Sequence, residues 1–237
     1  DYVDSTGLTE EPLRIYVKAT VKGSDIEFDF TGTSKQSPGS TNSPWGSSLG
    51  AVYVALKSMI DPYSPNNEGF YRPIKILLPE GTCINPTRPA AVSGGSGIRV
   101  RIIDAVRGAL ADVVPIAVGC DYGCTNHIFI GGKHPRSGEA YVWYEYPGGG
   151  FPATAHRDGT DSICDIMGGD SRDYPMERGE AEFPILYTRY QHRSDSGGPG
   201  KFRGGLGIWR DIKVLDDQRY QRNGVSVIWD RSKIPPY

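Results

Sequence analysis

The 237-residue sequence lacks a long apolar run and lacks a marked excess of charge of either sign. Its longest apolar stretch, residues 113–118, contains a proline and is far shorter than the roughly 20 residues that a membrane-spanning helix requires. The formal net charge of −2 gives no electrostatic reason to expect nucleic acid or an acidic membrane surface as a partner. We therefore expect neither a membrane nor nucleic acid among the partners.

A signal peptide and an initiator methionine are also missing, and cysteine is scarce. The first two absences predict a cytoplasmic chain that is either processed or part of a longer one. Without a secretory signal, free thiols are expected rather than a disulfide framework, at Cys83, Cys120, Cys124 and Cys164. The sequence has no P-loop, nucleophile elbow, His-Glu-x-x-His zinc motif or dinucleotide fingerprint, so no single motif assigns an activity.

Glycine and proline, by contrast, are abundant. The 31 glycines and 18 prolines make up about a fifth of the chain, against roughly 12% in average proteins. They stand in short clusters between apolar runs, which predicts many tight turns and close backbone approaches rather than low complexity. Hydrophobic residues make up 38% of the sequence, which is typical of a globular chain with a substantial core.

The periodicity of the apolar residues predicts an α+β fold that is rich in strands, with two main helices and many glycine-rich turns. Residues 13–21 and 26–30 alternate between apolar and polar positions around a turn at residues 22–25, which is typical of an antiparallel hairpin. Apolar residues recur at helical spacing over residues 49–59 and 98–114. Short strands are expected at residues 73–78, 127–130, 140–146, 184–190, 207–215 and 224–229.

Two short segments contain residue types that bind ions. The segment directly before the second helix comprises Ser93, Gly94, Gly95, Ser96 and Gly97. Free N–H groups and small side chains at a helix start can hold a phosphate or carboxylate, with a plain glycine turn as the alternative. Cys120, Cys124 and His127 have a spacing that could reach one zinc ion, but no fourth ligand is apparent, and small buried cysteines are the alternative. We assign no metal ligand.

Four carboxylates in two loops are candidates for acid–base chemistry. Asp158 and Asp161 follow a run of three glycines and could serve proton transfer, with an ordinary Asp-Gly turn as the alternative. Glu177 and Glu180 belong to the acidic segment at residues 175–182. Paired carboxylates suit acid–base work if they are buried together, and an exposed charged loop is the alternative.

The most unusual stretch is residues 195–207, where six glycines and one proline occupy seven of thirteen positions. Such a density demands special backbone angles or tight packing. Two cations lie inside this stretch, Lys201 and Arg203, and either could pair with a carboxylate or another anion. Arg203 completes the set of candidate catalytic residues.

The order of these motifs resembles the hydantoinase B/oxoprolinase family. Residues 29–34 follow the early hairpin as they do in B-type hydantoinase subunits, and residues 67–74 are similar to the next family block. Further matching segments follow in order at residues 79–81, 85–86, 89–92, 108–111, 148–150, 158–159, 175–180, 195–198 and 203–207. Because the agreement is collinear over nearly the whole chain, residues 1–237 are identified as the C-terminal portion of a B-type subunit.

The resemblance implies a hetero-oligomeric enzyme that phosphorylates a carbonyl or amide oxygen of a small molecule with ATP. ATP and Mg²⁺ are then expected on an A-type ATPase subunit, and the B-type subunit handles the substrate. The resemblance implies no biotin. The family's metal motif belongs to the upstream half of the B-type subunit, which this chain lacks, so a divalent metal is possible only there. Residues 61–63 match that motif superficially and have no neighbouring histidine.

Three functions stay open at this point. The first is hydrolysis of a cyclic amide such as a hydantoin, oxoproline or lactam, and the second is carboxylation of a ketone such as acetone or acetophenone by bicarbonate. The third is a scaffold segment without catalytic groups. If the segment is catalytic, the four carboxylates would orient a substrate or a proton carrier. Arg203 and the loop at residues 93–97 would face an acyl-phosphate-like species.

Overall fold

The computed structural model describes residues 1–6, 8–114, 127–168 and 171–215, together with the backbone of a strand at residues 224–228. The described residues form two compact units. Unit 1 contains those up to residue 114 and residues 154–156, and unit 2 contains those of 127–153 and 157–228. No helix within these ranges is long and apolar enough to cross a membrane.

Unit 1 combines two long helices with two small sheets. Its elements are β1 (Tyr2–Val3), β2 (Leu13–Arg14), β3 (Lys18–Lys22), β4 (Asp25–Asp29), α1 (Trp45–Ile60), α2 (Glu68–Tyr71), β5 (Ile74–Leu77) and α3 (Gly95–Leu110). β3 and β4 form the predicted antiparallel hairpin, whose turn contains Gly23 at φ 63°. β5 pairs with β4 in parallel, and the intervening α1 provides the long connection that such a pairing requires.

The prediction of one continuous strand over residues 13–21 was wrong. β2 pairs with β1 instead, and the chain leaves the sheets before β3 begins. The Thr33 hydroxyl occupies both backbone groups of Tyr16, accepting from its N–H and donating to its carbonyl oxygen at 3.1 Å each. Because a side chain satisfies these groups, Tyr16 cannot join a strand ladder.

The two predicted helices pack against each other and carry much of the core of unit 1. The predicted apolar stripe of α1 is confirmed at Val52, Leu56 and Met59, which are buried. α3 is shifted toward the N terminus relative to the predicted residues 98–114. It ends at Leu110, whose carbonyl oxygen accepts the N–H of Val114 at 2.9 Å, and residues 111–113 form a turn.

Unit 2 is built from strands and one short helix. Its elements are β6 (His127–Lys133), β7 (Ala140–Glu145), α4 (Met176–Glu182), β8 (Ile185–His192), β9 (Ile208–Val214) and β10 (Gly224–Ile228). β6 lies between β10 and β7 and is antiparallel to both, and β8 pairs with β9. Ile130, Trp143 and Ile185 form the buried core. The predicted strands are confirmed to within a few residues, apart from Trp229, which lies outside the described residues, and the α+β class is confirmed.

Candidate functional site

Three glycine-bearing segments of unit 2 cross one another with their backbones in contact. We call this the glycine crossing, formed by residues 148–151, 158–163 and 197–207. The Phe151 N–H donates to the Thr160 carbonyl oxygen, and the Gly205 N–H donates to the Phe151 carbonyl oxygen, both at 2.8 Å. A Cβ on Gly205 would lie 2.1 Å from the Thr160 oxygen, and one on Gly159 would lie 1.9 Å from the Phe151 oxygen. The predicted tight packing of these glycines is therefore confirmed.

Two of the predicted carboxylates fasten this crossing. Asp158 Oδ1 accepts the backbone N–H of Arg203 at 2.7 Å, and Asp161 Oδ1 accepts that of Leu206 at 2.6 Å. The Arg203 side chain is exposed and forms no ion pair with a described residue. The structure thus brings Asp158, Asp161 and Arg203 together, although the contacts it shows are tethers between loops. Their catalytic role stays a prediction.

The other two predicted carboxylates lie on α4, and no described contact joins them to Asp158 or Asp161. Glu180 accepts the backbone N–H of Tyr187 at 2.8 Å, which fastens α4 to β8. Glu177 is exposed in the first turn of α4, where a negative charge favours the helix dipole. The structure therefore supplies a local structural role for each, and their catalytic role also stays a prediction.

The predicted anion loop of unit 1 packs tightly against another segment of the same unit. The Gly94 N–H donates to the Ser40 carbonyl oxygen at 2.9 Å, and a Cβ on Gly95 would lie 2.8 Å from the Asn42 carbonyl oxygen. Ser96 Oγ accepts from the Arg99 guanidinium at 3.0 Å. Ser93 is exposed, and Gly97 is buried inside the first turn of α3. Packing accounts for the glycines, and anion binding stays a prediction.

The zinc hypothesis falls mostly outside the described residues, because Cys120 and Cys124 lie there. His127 is described and has two aromatic partners: its Nδ1 lies 2.8 Å from the Tyr144 hydroxyl, and its ring stacks on Tyr146 at 4.8 Å. Within the described ranges, no group of three or more His, Cys, Asp or Glu side chains could hold a metal ion. Free, buried thiols are found at Cys83 and Cys164, as predicted.

The sequence did not predict the most buried group of charges in unit 2. We call it the acid–arginine cluster: Glu145, Arg210 and Asp173. The Arg210 guanidinium contacts Glu145 Oε1 and donates to Asp173 Oδ2 at 2.8 Å. The side chains of Arg210 and Glu145 are only 3% and 1% exposed, whereas Asp173 is 25% exposed. Asp173 Oδ2 also accepts from the Tyr190 hydroxyl.

Burial perturbs the titration of this cluster and of the tyrosines around it. It raises the pKa of the Glu145 carboxyl above its ordinary value, while the Arg210 charge opposes the change. It raises the pKa of Tyr190 to about 12, with help from the hydrogen bond to Asp173. The pKa of Tyr187 is also raised, first by burial and then by the charge of Glu145. Perturbed groups of this kind concentrate at functional sites.

A cavity of about 490 Å³ adjoins the acid–arginine cluster. This volume falls within the roughly 300–1,000 Å³ that is usual for small-molecule sites. One wall comes from β7 and the residue that follows it, and the other from the loop before α4. The lining residues are Tyr144, Glu145, Tyr146, Ser171, Arg172, Asp173, Tyr174 and Pro175. The cavity is therefore lined by both aromatic and charged side chains.

A signal for part of this cluster was present in the sequence. On β7, Glu145 shares the buried positions with Trp143, and on β9, Arg210 stands between Ile208 and Ile212 on the inward side. A charged residue at an inward position of an alternating strand predicts a buried ion pair. Asp173, the third member of the cluster, carries no such signal because it lies in a loop.

Comparison with known proteins gives the family. The chain matches the hydantoinase B/oxoprolinase family over residues 1–237, and it belongs to that family. It is 33% identical over 244 aligned residues to the putative B-type subunit of a D-/L-hydantoinase from Pseudomonas sp. (strain NS671). That alignment covers 100% of the chain but 40% of the relative, so the chain spans less than half of that protein's length.

Two solved structures share the fold. One is the ATP-dependent caprolactamase from Pseudomonas jessenii, with a TM-score of 0.71, 26% identity, and coverage of 84% of this chain and 35% of that one. The other is a nucleotide-free acetone carboxylase, with a TM-score of 0.77, 22% identity, and coverage of 90% and 29%. At that lower identity, the carboxylase likeness concerns the fold alone.

Proposed function

We infer that this chain is the C-terminal portion of a B-type subunit in an ATP-dependent enzyme that opens a cyclic amide. The observation that carries this inference is the alignment of the full chain, at 33% identity, with a protein named as the B-type subunit of a hydantoinase. The fold it shares with an ATP-dependent caprolactamase supports the same chemistry, because a lactam and a hydantoin are both ring amides. The expected substrates are hydantoins, oxoproline and lactams.

The chemistry explains why such an enzyme needs ATP. Resonance makes an amide carbonyl a poor electrophile, and phosphorylation of its oxygen makes the carbon reactive enough for water to add. The ring C–N bond then breaks to leave an amine and an acyl phosphate, and a second water releases inorganic phosphate and the ring-opened acid. ATP, with Mg²⁺ on an A-type partner subunit, would supply the phosphoryl group. Because ATP is consumed, we place the assembly in the cytoplasm. Any divalent metal would belong to the remainder of the B-type subunit, and no biotin is expected.

Within this chain, the proposed roles are those of positioning and charge. Asp158 and Asp161 would orient water or substrate from the glycine crossing, and Arg203 has an exposed guanidinium there that is free to face an anionic intermediate. Glu177 and Glu180 would act from α4. The loop at residues 93–97 would contribute the N–H groups of the α3 start.

The test uses the intact subunit together with its ATPase partner. ADP release is measured with hydantoin, 5-oxoproline, caprolactam and acetone, each with and without bicarbonate, and the isolated subunit is the control. We expect a ring amide to stimulate ADP release and to appear as the ring-opened acid, without any need for bicarbonate. Stimulation only by a ketone together with bicarbonate would refute hydrolysis and support the carboxylase alternative.

A scaffold role is the second alternative, and the tethers seen in the glycine crossing favour it. Asp158→Asn, Glu177→Gln and Arg203→Ala separate the two roles, because the first keeps an acceptor and the other two remove no described tether. If turnover survives all three substitutions while the complex still assembles, the scaffold role is correct. A loss of turnover in a stably assembled complex supports catalytic participation.

A further inference from the structure

One wall of the cavity beside the acid–arginine cluster carries a hydrogen-bond acceptor next to a hydrogen-bond donor, which is the pair that an amide group requires. Arg172 and Asp173 are neighbours in sequence and both line the cavity. Asp173 makes its two contacts with described residues, Arg210 and Tyr190, through Oδ2, which leaves Oδ1 as an acceptor. Arg172 is exposed and forms no ion pair within the described part of the chain, so its guanidinium is available as a donor.

The opposite wall is aromatic and is held in place. Tyr146 stacks on the His127 ring with an interplanar angle of 8°, and Tyr144 contacts Nδ1 of the same histidine at 2.8 Å. Tyr174, on the same wall as Arg172 and Asp173, is also held, because it donates its hydroxyl to Glu182 at 2.6 Å. Because their rings are fixed by these contacts, the tyrosines offer apolar surface without a large loss of side-chain entropy on binding.

A ring amide matches this arrangement in shape and in hydrogen bonding. The ring forces the amide into the cis form, so the N–H donor and the carbonyl acceptor lie on one edge. That edge requires an acceptor and a donor side by side, and the remaining ring atoms require apolar surface. The Arg172 charge disfavours an organic cation, which would otherwise suit a carboxylate among aromatic rings.

We propose that this cavity binds the ring amide itself, with Asp173 Oδ1 accepting from the amide N–H and Arg172 donating to the carbonyl oxygen. The inference rests on the proposed function and assigns its substrate to unit 2. Arg210 is then a positioning residue, because it occupies Asp173 Oδ2 and directs Oδ1 to the cavity. Neither Arg172 nor Asp173 belongs to the candidate set drawn from the sequence.

The test measures binding of caprolactam and of hydantoin to the intact subunit without ATP, by titration calorimetry. Asp173→Asn keeps the side-chain shape, but its oxygen will face Arg210 and its amide NH₂ will face the cavity, so it replaces an acceptor by a donor. We expect this variant and Arg172→Ala to bind each ligand about tenfold more weakly or worse. Arg136→Ala removes an exposed arginine of unit 2 that does not line the cavity, so this variant is the matched control and should bind like the native subunit.

A second ligand tests the proposed hydrogen bond between the amide N–H and Asp173 by changing the ligand instead of the protein. N-methylcaprolactam has no N–H, so the native subunit should bind it about tenfold more weakly than caprolactam or worse, and Asp173→Asn should lose that discrimination. Unchanged binding in both variants, with normal melting curves, would overturn the inference. If the complex still opens lactams in that case, the proposed function survives and only the site is wrong. If binding depends on both residues but no ring amide is opened, the site stands and the hydrolase function falls.

Discussion

Replacing Arg210 by methionine tests whether the acid–arginine cluster holds unit 2 together. The substitution keeps much of the side-chain volume and removes the only cation that contacts Glu145 among the described residues. The Glu145 side chain is 1% exposed, so its carboxylate cannot recover solvation from water. Removing one partner of such a buried pair costs about 3–5 kcal/mol. Asp173 adds little to this loss, because a quarter of it is exposed and it keeps the Tyr190 hydroxyl.

The stability lost on replacing Arg210 by methionine should increase as the pH rises. Burial raises the Glu145 pKa above its ordinary value of 4.5, so the folded state favours the neutral carboxyl. Stability from this group is therefore fully present below pH 4.5 and is lost as the pH rises through the raised value. Without Arg210 the pKa should rise further, so Arg210→Met should be damaging at about pH 8 and much less so near the ordinary carboxyl value.

Urea unfolding at several pH values, with hydrogen exchange of the β7 and β9 amides, measures this loss within unit 2. Arg189→Met is the matched control: its 2.8 Å pair with Asp211 is well exposed, so its removal should cost about 0–1 kcal/mol. The double variant Glu145→Gln/Arg210→Met should recover most of the stability, because no buried charge remains. A loss below about 1 kcal/mol at about pH 8, or a double variant no more stable than Arg210→Met, would refute the reasoning.

Three further predictions concern packing, tethering and thiol chemistry. Gly205→Ala places a Cβ against a carbonyl oxygen and should lower the free energy of unfolding by about 1–3 kcal/mol, measured by thermal unfolding. The control Gly198→Ala places its methyl group in open space and should melt like the native chain. Equal melting of the two variants would contradict the close packing of the glycine crossing. Asp161→Ala should lower the free energy of unfolding by about 1–3 kcal/mol, because the Leu206 N–H loses its acceptor. Asp161→Asn keeps an acceptor oxygen and should melt like the native chain. Equal losses of stability in the two variants would contradict the role of this hydrogen bond as a tether. Burial raises the pKa of the Cys83 thiol to about 12, so iodoacetamide at about pH 8 should alkylate it only when urea unfolds the chain. Mass spectrometry detects the alkylation, and alkylation of Cys83 in the folded chain would contradict this prediction.

The sequence predicted the elements whose patterns are local. Period-two alternation located the β3–β4 hairpin, and helical spacing located α1 and α3, because each signal depends on the burial surface of one element. The break between β2 and β3 was not predictable in this way. It depends on the Thr33 hydroxyl reaching the backbone of Tyr16, a contact between residues 17 positions apart in the chain.

The candidate site followed the same division. The glycine density of residues 195–207 correctly indicated close packing, but the sequence did not show that Asp158 and Asp161 accept backbone N–H groups from that stretch. The alternation of β7 and β9 indicates that Glu145 and Arg210 point inward, so these two members were predictable. Asp173 reaches them from a loop and was not. Pairing between distant segments is fixed by the three-dimensional fold, so a single sequence carries little record of it.

The backbone contacts of the glycine crossing bear on how aligned sequences of this family are read. Hydrogen is the largest substituent that fits at Gly150, Gly159 and Gly205, since a methyl group would overlap main-chain atoms that cannot move aside. Selection for a foldable chain alone should keep these three columns unvaried in relatives with different substrates. Their invariance would then be no guide to chemistry, and residues that vary together with the substrate would be the better guide.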